Sequence, residues 1–253
     1  MRIWVPGANG LLGRAVCKIA DYRDHTVVAT SRDQCDIVLW QEVVPNRSID
    51  AIINCAGVLP GRPYSETVLA NALGPHNLAR LGIRLVHMST DCVFSGRKYP
   101  TSSGYGLDSG LTPDPVDLYG RTKLAGEPSG DHVLVVRGSF IGEGAGFLGW
   151  LLFAKGQVDA WERAHWNGTS VDIMAEHLVI LAEGRRTGVV HVASPTEVTK
   201  AFMITYLKEQ LDLPIEPVGT VEPAIWRVLW PDIEVPPVED MLHWLVEEIR
   251  CRA

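Results

Sequence analysis

The chain has 253 residues, 46% of them hydrophobic and 21% charged, so we expect a packed globular core and no extended disorder. A formal net charge of −7 argues against nucleic acid as a partner. The five cysteines contain no CxxC pair and are expected to be reduced thiols. No apolar run reaches the roughly 20 residues that a bilayer crossing needs. We therefore expect a cytoplasmic protein without a membrane partner.

Short apolar runs alternate with amphipathic stretches along the chain. The predicted strands cover residues 2–5, 26–30, 51–57, 84–90, 132–138 and 188–194. The predicted helices cover residues 11–22, 37–44, 65–82, 119–127, 146–156, 171–184, 200–211 and 238–252. Such alternation predicts the α/β class, with a doubly wound parallel sheet of the Rossmann type covered by helices on both faces.

The pattern loosens after the middle of the chain, which predicts two domains. A dinucleotide-binding Rossmann domain would comprise residues 1–138 and about 171–195. The remaining parts, about 139–170 and 196–253, include a proline-rich stretch and would form a smaller substrate-binding lobe toward the C-terminus.

A glycine pattern, VPGANGLLGRA, directly follows the first predicted strand. Gly7 would allow a tight turn, Gly10 would let the backbone approach a pyrophosphate, and Gly13 would let the helix pack closely on the sheet. The helix N-terminus then offers unpaired N–H groups to an anion. An ordinary glycine-rich turn is the alternative. The same segment supplies the further predicted cofactor contacts Asn9, Leu11 and Leu12.

The residues after the second predicted strand bear on the choice of cofactor. Ser31 and Arg32 stand at the expected turn, and an arginine there favours NADPH because it can pair with the 2′-phosphate. Asp33 follows directly and keeps NADH possible. Asp36 either contacts the adenine or caps the next helix, and Ile37 is predicted to contact the cofactor beside it.

Two further strands end in small or polar residues. Ligands of open α/β sheets bind beyond the carboxyl ends of the strands, and small residues there let the backbone pass close to a cofactor. The residues predicted to contact the cofactor are Cys55, Ala56, Gly57 and Met88, and those predicted to contact a substrate are Val58, Thr90, Asp91 and Cys92.

Tyr119 and Lys123 are four residues apart and share one face of a predicted helix. A nearby ammonium favours the phenolate and would lower the pKa of a tyrosine from about 10. The hydroxyl of Thr90 would hold a carbonyl group and donate to the developing oxyanion. The combination predicts hydride transfer from a nicotinamide cofactor with Tyr119 as the acid. The sequence shows no spacing typical of a metal site, and we expect none because the cofactor supplies the chemistry.

Taken together, these segments resemble the extended short-chain dehydrogenase/reductase family over about residues 1–195, and within it the sugar-nucleotide reductases of the dTDP-4-dehydrorhamnose reductase type. The resemblance rests on GANGLLGRA, SRDQCDI, NCAG, ANALGPHNLA, STDCVFSG, DLYGRTKLAGE and VVRGSFIG. It implies NAD(P)H-dependent reduction of a keto group on a nucleotide-linked deoxysugar. It also implies that Thr90, Tyr119 and Lys123 are the catalytic residues.

Other positions take their expected roles from the same resemblance. Asn71 would stabilise the active site, Ser139 and Phe140 would line the nicotinamide end, and Phe140 would also reach the substrate. Trp166 lies in a segment expected to contact the substrate, where it could stack on a nucleotide base. Association into a homodimer is left open.

Two alternatives stay open at this point, a second enzyme activity and a non-catalytic role. Cys92 lies two residues past Thr90, where epimerase–reductases of the GDP-fucose synthase type place an acid–base cysteine. That type also needs a histidine after the VVRG strand, and SFIGEGAGF has none. The regulatory β subunit of methionine adenosyltransferase also looks like these reductases but acts by binding a partner protein. The intact set of threonine, tyrosine and lysine argues against that reading.

Overall fold

The computed structural model describes residues 1–39, 48–97, 104–106 and 112–252. The chain divides into two compact units. The first unit comprises Met1–Val93, Pro113–Arg137 and Val171–Val190, and the second comprises Phe94–Thr112, Gly138–Ser170 and His191–Ala253. This division differs from the predicted domains because it assigns residues 94–112, 138 and 191–195 to the second unit.

Strands and helices alternate in chain order, as the sequence predicts. The strands are β1 (Arg2–Pro6), β2 (Thr26–Thr30), β3 (Ala51–Asn54), β4 (Arg84–Met88), β5 (Val133–Arg137), β6 (Phe140–Ile141), β7 (Gly156–Trp161), β8 (Ala164–Trp166), β9 (Thr169–Ser170), β10 (Gly188–Ala193), β11 (Val198–Thr199), β12 (Ile215–Thr220), β13 (Ile225–Arg227) and β14 (Ile233–Glu234). The α-helices are α1 (Leu11–Tyr22), α2 (Tyr64–Val68), α3 (Gly74–Ala79), α4 (Leu118–Ala125), α5 (Gly146–Phe153), α6 (Val171–Glu183), α7 (Lys200–Leu211) and α8 (Val238–Arg252).

Two predicted elements differ most from the observed ones, and a third lies mostly outside the described residues. The helix expected over residues 65–82 consists of α2, a π-helical turn at Leu69–Leu73 and α3. The strand expected over 51–57 ends at Asn54, which leaves the next three residues in a loop. Most of the helix expected over 37–44 lies outside the described residues.

A seven-stranded parallel sheet has the order β14-β10-β5-β4-β3-β1-β2, which confirms the predicted Rossmann type. β1 pairs with β2 on one side and with β3 on the other, both in parallel. The chain therefore reverses its direction of travel across the sheet between β1 and β3. In open α/β sheets such a reversal opens a crevice at the carboxyl ends of the two strands, which are the ends that carry Gly7 and Cys55.

The core of the first unit forms on both faces of this sheet. Trp4, Ile52, Leu85 and Val133 form a row across four adjacent strands, and Leu78 of α3 packs against them. The alternate residues point to the opposite face. They are buried as well, and their representatives are Ile3, Ile53, Val86 and Leu134. Helices α1 and α6 pack against each other, and α6 also contacts β3 and β4.

In the described part of the second unit, short strands and three helices build the fold. β7 and β12 pair in parallel over six residues, and α7 packs against both. The buried side chain of Asn167 joins two loops, because it donates to the carbonyls of Ser194 and Leu229 at 2.8 Å each and accepts from the Leu229 amide at 2.9 Å. Among the helices of the described residues, none combines the length and the apolar composition that a bilayer crossing requires.

Candidate active site

The glycine loop between β1 and α1 is packed too tightly for side chains. Gly7 has φ +77°, a conformation that side chains disfavour, and a Cβ there would lie 2.6 Å from the amide nitrogen of Ala56. A Cβ on Gly13 would overlap the carbonyl oxygen of Gly7. The loop therefore brings the ends of β1 and β3 together and seats α1 against the turn. The sequence predicted the tight turn at Gly7 but not its contact with the end of β3.

The N-terminus of α1 is open to a ligand. Gly10 is its N-cap and provides no side-chain cap, and the first turn contains no acidic residue. The first amide groups of a helix have no partners inside the helix and favour an anion. Asn9 lies next to this turn, and its carbonyl accepts a 2.6 Å hydrogen bond from Arg14. A backbone cradle that excludes side chains and points amides outward fits a dinucleotide pyrophosphate.

A cleft opens at the crevice between β1 and β3. Nine residues predicted as cofactor or substrate contacts line it: Gly7, Gly10, Arg32, Asp36, Ile37, Cys55, Ala56, Gly57 and Val58. Three more residues line it that the sequence reasoning missed: Cys35, Val38 and Ala70. Each of these three is adjacent in sequence to a predicted residue. The sequence therefore indicated the correct segments but not every residue of them that lines the cleft.

Other residues predicted at the start of α1 and in the turn after β2 are packed or hydrogen-bonded within the protein. Leu12 is buried and Leu11 is half-buried at the start of α1. Ser31 closes a tight turn, since both its amide and its hydroxyl bond to the Gln34 side chain, at 2.9 and 3.1 Å. Asp36 supports the chain that follows, because its carboxylate accepts from the Val38 amide at 3.0 Å.

Thr90 and its two neighbours follow the carboxyl end of β4. The Thr90 hydroxyl donates to the Asp91 carboxylate at 3.1 Å and accepts from the Cys92 amide at 3.2 Å. Thr90 and Asp91 are buried, whereas Cys92 is half-buried. These bonds hold the hydroxyl in one orientation at the end of the strand.

Tyr119 meets Thr90 at the start of α4. Asp117 caps this helix by accepting from the Gly120 amide at 2.7 Å, and a side-chain hydrogen bond joins Tyr119 to Thr90. Burial raises the pKa of Tyr119, and the nearby Cys92 raises it further. The side-chain hydrogen bond with Thr90 lowers this pKa by less. The lowering that we expected from the lysine is not observed, so in this structure the phenol keeps its proton at neutral pH.

Lys123 lies one helical turn further along α4 and is buried. Its ammonium donates a 2.7 Å hydrogen bond to the carbonyl of Met88, at the end of β4. A Cβ on Gly57 would lie 4.0 Å from this ammonium, which places it beside the cleft. Burial lowers the pKa of Lys123 to about 8, and the carboxylate of Glu127 opposes that shift.

Glu127 is held in place by two partners. Arg137 of β5 binds its carboxylate with two hydrogen bonds, at 2.9 and 2.8 Å, and the Ser89 hydroxyl donates to it at 2.5 Å. The two side chains of this ion pair are only 8% and 9% exposed. A fixed carboxylate near Lys123 favours the ammonium form. The sequence reasoning did not single out Glu127, although it ends the quoted segment DLYGRTKLAGE.

Asn71 occupies the middle of the π-helical turn Leu69–Leu73 and is fully buried. Its side chain accepts from the Val58 amide at 2.8 Å and donates to the Val58 carbonyl at 3.0 Å, so it holds the loop after β3. It also reaches the Thr122 hydroxyl at 3.5 Å. A Cβ on Gly126 would overlap the Asn71 carbonyl oxygen, which explains the glycine at the end of α4. Asn71 therefore fixes the loop after β3, and its role in stabilising the active site stays a prediction.

The predicted residues Ser139, Phe140 and Trp166 belong to the second unit. The Trp166 indole donates to the Ser139 hydroxyl at 2.8 Å, and the residue is 4% exposed. The Lys200 ammonium lies 4.9 Å from the centre of the indole ring. This burial leaves little ring surface on which a base could stack. Phe140 is half-buried in β6.

Comparison with known proteins places the chain in a family. The sequence profile described as the RmlD substrate binding domain matches residues 1–222. A dTDP-4-dehydrorhamnose reductase of Mycolicibacterium smegmatis is 32% identical over 219 residues, which cover 76% of this chain and 64% of that protein. The β subunit of methionine adenosyltransferase 2 of Xenopus laevis is 33% identical over 145 residues, which cover 50% of this chain and 41% of that protein.

The fold agrees with solved structures. The crystal structure of dTDP-4-dehydrorhamnose reductase from Bacillus anthracis in complex with NADP superposes with a TM-score of 0.84 and 20% identity. The superposition covers 98% of this chain and 99% of that one. Profile, relatives and fold confirm the resemblance read from the sequence motifs. The chain belongs to the RmlD substrate-binding domain family of extended short-chain dehydrogenases/reductases.

Proposed function

We propose that this protein uses NADPH to reduce a keto group on a nucleotide-linked deoxysugar. The observation that carries the proposal is the hydrogen bond between the side chains of Thr90 and Tyr119 after β4. The Lys123 ammonium, which donates to the carbonyl of Met88, lies beside the same cleft. The relatives named above supply the substrate class, and the Bacillus anthracis structure supplies the phosphorylated cofactor. NADH remains the second cofactor that the cleft can accept.

The residues of the chain divide the work between binding and proton transfer. The amides around Gly10 hold the pyrophosphate, and Arg32 faces the adenosine end of the cleft. Bound NADPH supplies the hydride for the carbonyl carbon. In the free protein the Thr90 hydroxyl donates to Asp91, and on substrate binding it turns this hydrogen to the carbonyl oxygen. Tyr119 gives that oxygen the proton that completes the hydroxyl group. Lys123 provides positive charge next to the cleft while it is protonated.

The raised pKa of Tyr119 supports its role as a proton donor. A phenol that stays protonated at neutral pH is ready to donate, and it becomes a stronger acid only where a neighbouring charge stabilises the phenolate. A buried ammonium is such a charge, and Glu127 favours its protonated form. In the free protein the Lys123 ammonium instead donates its hydrogen bond to Met88.

Binding and turnover test the proposal directly. Calorimetry should show NADPH binding, and dTDP-, UDP- and GDP-linked 4-keto-6-deoxysugars should be screened for oxidation of the bound cofactor. Turnover of at least one ketosugar is expected. A purified, folded protein that binds neither NADPH nor NADH would contradict the proposal.

A regulatory role is the second candidate, and the similarity to the methionine adenosyltransferase 2 β subunit over half of the chain favours it. Cofactor binding without turnover of any ketosugar, together with saturable binding to a methionine adenosyltransferase catalytic subunit, would move the assignment to that class.

A further inference from the structure

Arg32 is held between two carboxylates at the rim of the cofactor cleft. Its guanidinium lies 3.0 Å from Oε1 of Glu66, which belongs to α2, and 3.4 Å from Oδ2 of Asp36. The Arg32 side chain is 63% exposed, and each carboxylate side chain is 26% exposed. Arg32 and Asp36 both line the cleft. Glu66 contacts Arg32 from α2, which is a separate element.

The two carboxylates differ in how firmly the chain holds them. Asp36 also accepts from the Val38 amide, which fixes it to its own turn. Among the described contacts, the Glu66 side chain bonds to Arg32, and the residue stands in the first turn of α2. Exposed ion pairs of this kind are weak, so a more highly charged anion can take the guanidinium from Glu66.

We propose that Glu66 sets the preference between NADPH and NADH by competing with the cofactor's 2′-phosphate for Arg32. The inference rests on the proposed function, because it assumes that a dinucleotide binds in this cleft. The phosphate dianion must displace the carboxylate from the guanidinium and then lies close to its negative charge. NADH has a neutral 2′-hydroxyl at that position and meets neither obstacle. Glu66 therefore lowers the affinity for NADPH but not that for NADH, so that the protein can use both cofactors.

The test is the Glu66→Gln variant, with binding measured by calorimetry for NADPH and NADH. Removing one unit charge a few ångströms from the phosphate should tighten NADPH by about 5-fold, and NADH should change by less than about 2-fold. Adenosine 2′,5′-bisphosphate and adenosine 5′-monophosphate should reproduce the difference without the nicotinamide end. The effect should be larger at about 0.02 M salt than at about 0.3 M, because screening weakens it.

Two comparisons isolate the role of Arg32. Asp21→Asn removes the same charge from an exposed residue near the C-terminal end of α1, and it should change the cofactor ratio by less than Glu66→Gln does. In an Arg32→Ala background the effect of Glu66→Gln on the cofactor ratio should be smaller than in the unmodified protein, since no guanidinium is left to compete for and only the repulsion between the carboxylate and the phosphate remains.

The outcomes separate this inference from the proposed function. Binding of both cofactors with an unchanged ratio in Glu66→Gln, or a ratio that moves toward NADH, would overturn the inference and leave the proposed function standing. Absence of binding for every dinucleotide and fragment in the unmodified protein would overturn both.

Discussion

The ammonium of Lys123 donates a 2.7 Å hydrogen bond to the carbonyl oxygen of Met88 in a part of the first unit where both residues are buried. This contact joins α4 to the end of β4 and brings the lysine beside the cleft. It also places a charge where burial disfavours it, and the pKa of Lys123 is lowered to about 8 for that reason. We therefore expect the protonated Lys123 to lower the free energy of unfolding, although the proposed chemistry needs it.

We expect Lys123→Met to raise the free energy of unfolding at pH 7 by about 2 kcal/mol and to abolish turnover. The lowered pKa of Lys123 corresponds to a destabilisation of the folded state by about 3 kcal/mol, which the substitution removes. Losing the hydrogen bond to Met88 costs about 1 kcal/mol of that gain. Chemical denaturation measures the change. Lys18→Met, at an exposed lysine, is the control and should stay within about 0.5 kcal/mol. A large loss of stability in Lys123→Met would show that the ammonium is a net stabiliser.

The same lysine should make stability depend on pH. In the folded protein Lys123 loses its proton near pH 8, whereas the unfolded chain keeps it to about pH 10.5. Between these values the unfolded chain binds more protons, so the free energy of unfolding rises with pH. The advantage of Lys123→Met over the unmodified protein should therefore shrink between pH 8 and 10.5. Parallel denaturation curves across this range will show whether the gap closes.

Tyr119→Phe should reduce turnover by roughly 10²–10⁴-fold, because it removes the proton donor and little else. NADPH affinity from calorimetry should stay within about 3-fold. Tyr22→Phe, at an 85% exposed tyrosine, serves as the matched control. Because burial raises the pKa of Tyr119, the fall of kcat/KM at alkaline pH should begin near pH 8, where Lys123 loses its charge, and not near pH 10. Full activity of Tyr119→Phe would rule out the donor role.

Cys92→Ser should keep reductase turnover within about 3-fold. The Cys92 contact that orients Thr90 is made by the backbone amide, which the substitution leaves in place. Reactions in D₂O should add no deuterium at the carbons next to the keto group of the substrate. Deuterium at such a carbon that disappears in Cys92→Ser, but not in Cys251→Ser, would instead support the epimerase alternative.

Gly126→Ala should destabilise the protein by about 3 kcal/mol or more, because the new methyl group would overlap the Asn71 carbonyl oxygen. Gly184→Ala makes a suitable control. The nearest atom to a Cβ there, the Leu181 carbonyl oxygen, would be 3.6 Å away, so the effect should stay within about 1 kcal/mol. Equal stability of the two variants, measured by denaturation, would show that α4 can move away from the π-helical turn without a large loss of stability.

The sequence was most informative where one residue type has one physical use. Gly7 and Gly13 were predicted from spacing, and the structure shows the steric reason at both positions. Thr90, Tyr119 and Lys123 were predicted as one group because the chemistry needs all three. Side-chain pairing was harder to foresee. The ion pairs of Arg32 with Glu66 and of Arg137 with Glu127 join residues 34 and 10 positions apart, and no periodic pattern indicates them.

The second unit was predicted less well for a related reason. Its strands β6, β8, β9, β11, β13 and β14 contain only two or three residues each. A stretch of that length shows no alternation, so its strand character depends on partners elsewhere in the chain. The six-residue pairing of β7 with β12 likewise joins segments about 60 residues apart.

The π-helical turn at Leu69–Leu73 carries one more residue than a regular helix of the same span would need. Deleting one of its alanines would let α2 and α3 merge into a continuous helix with regular hydrogen bonding. The same deletion would close the wide turn around Asn71, and its side chain would lose its hold on Val58. The irregular helical turn thus lets the Asn71 side chain reach a loop that lies 13 residues away in the chain.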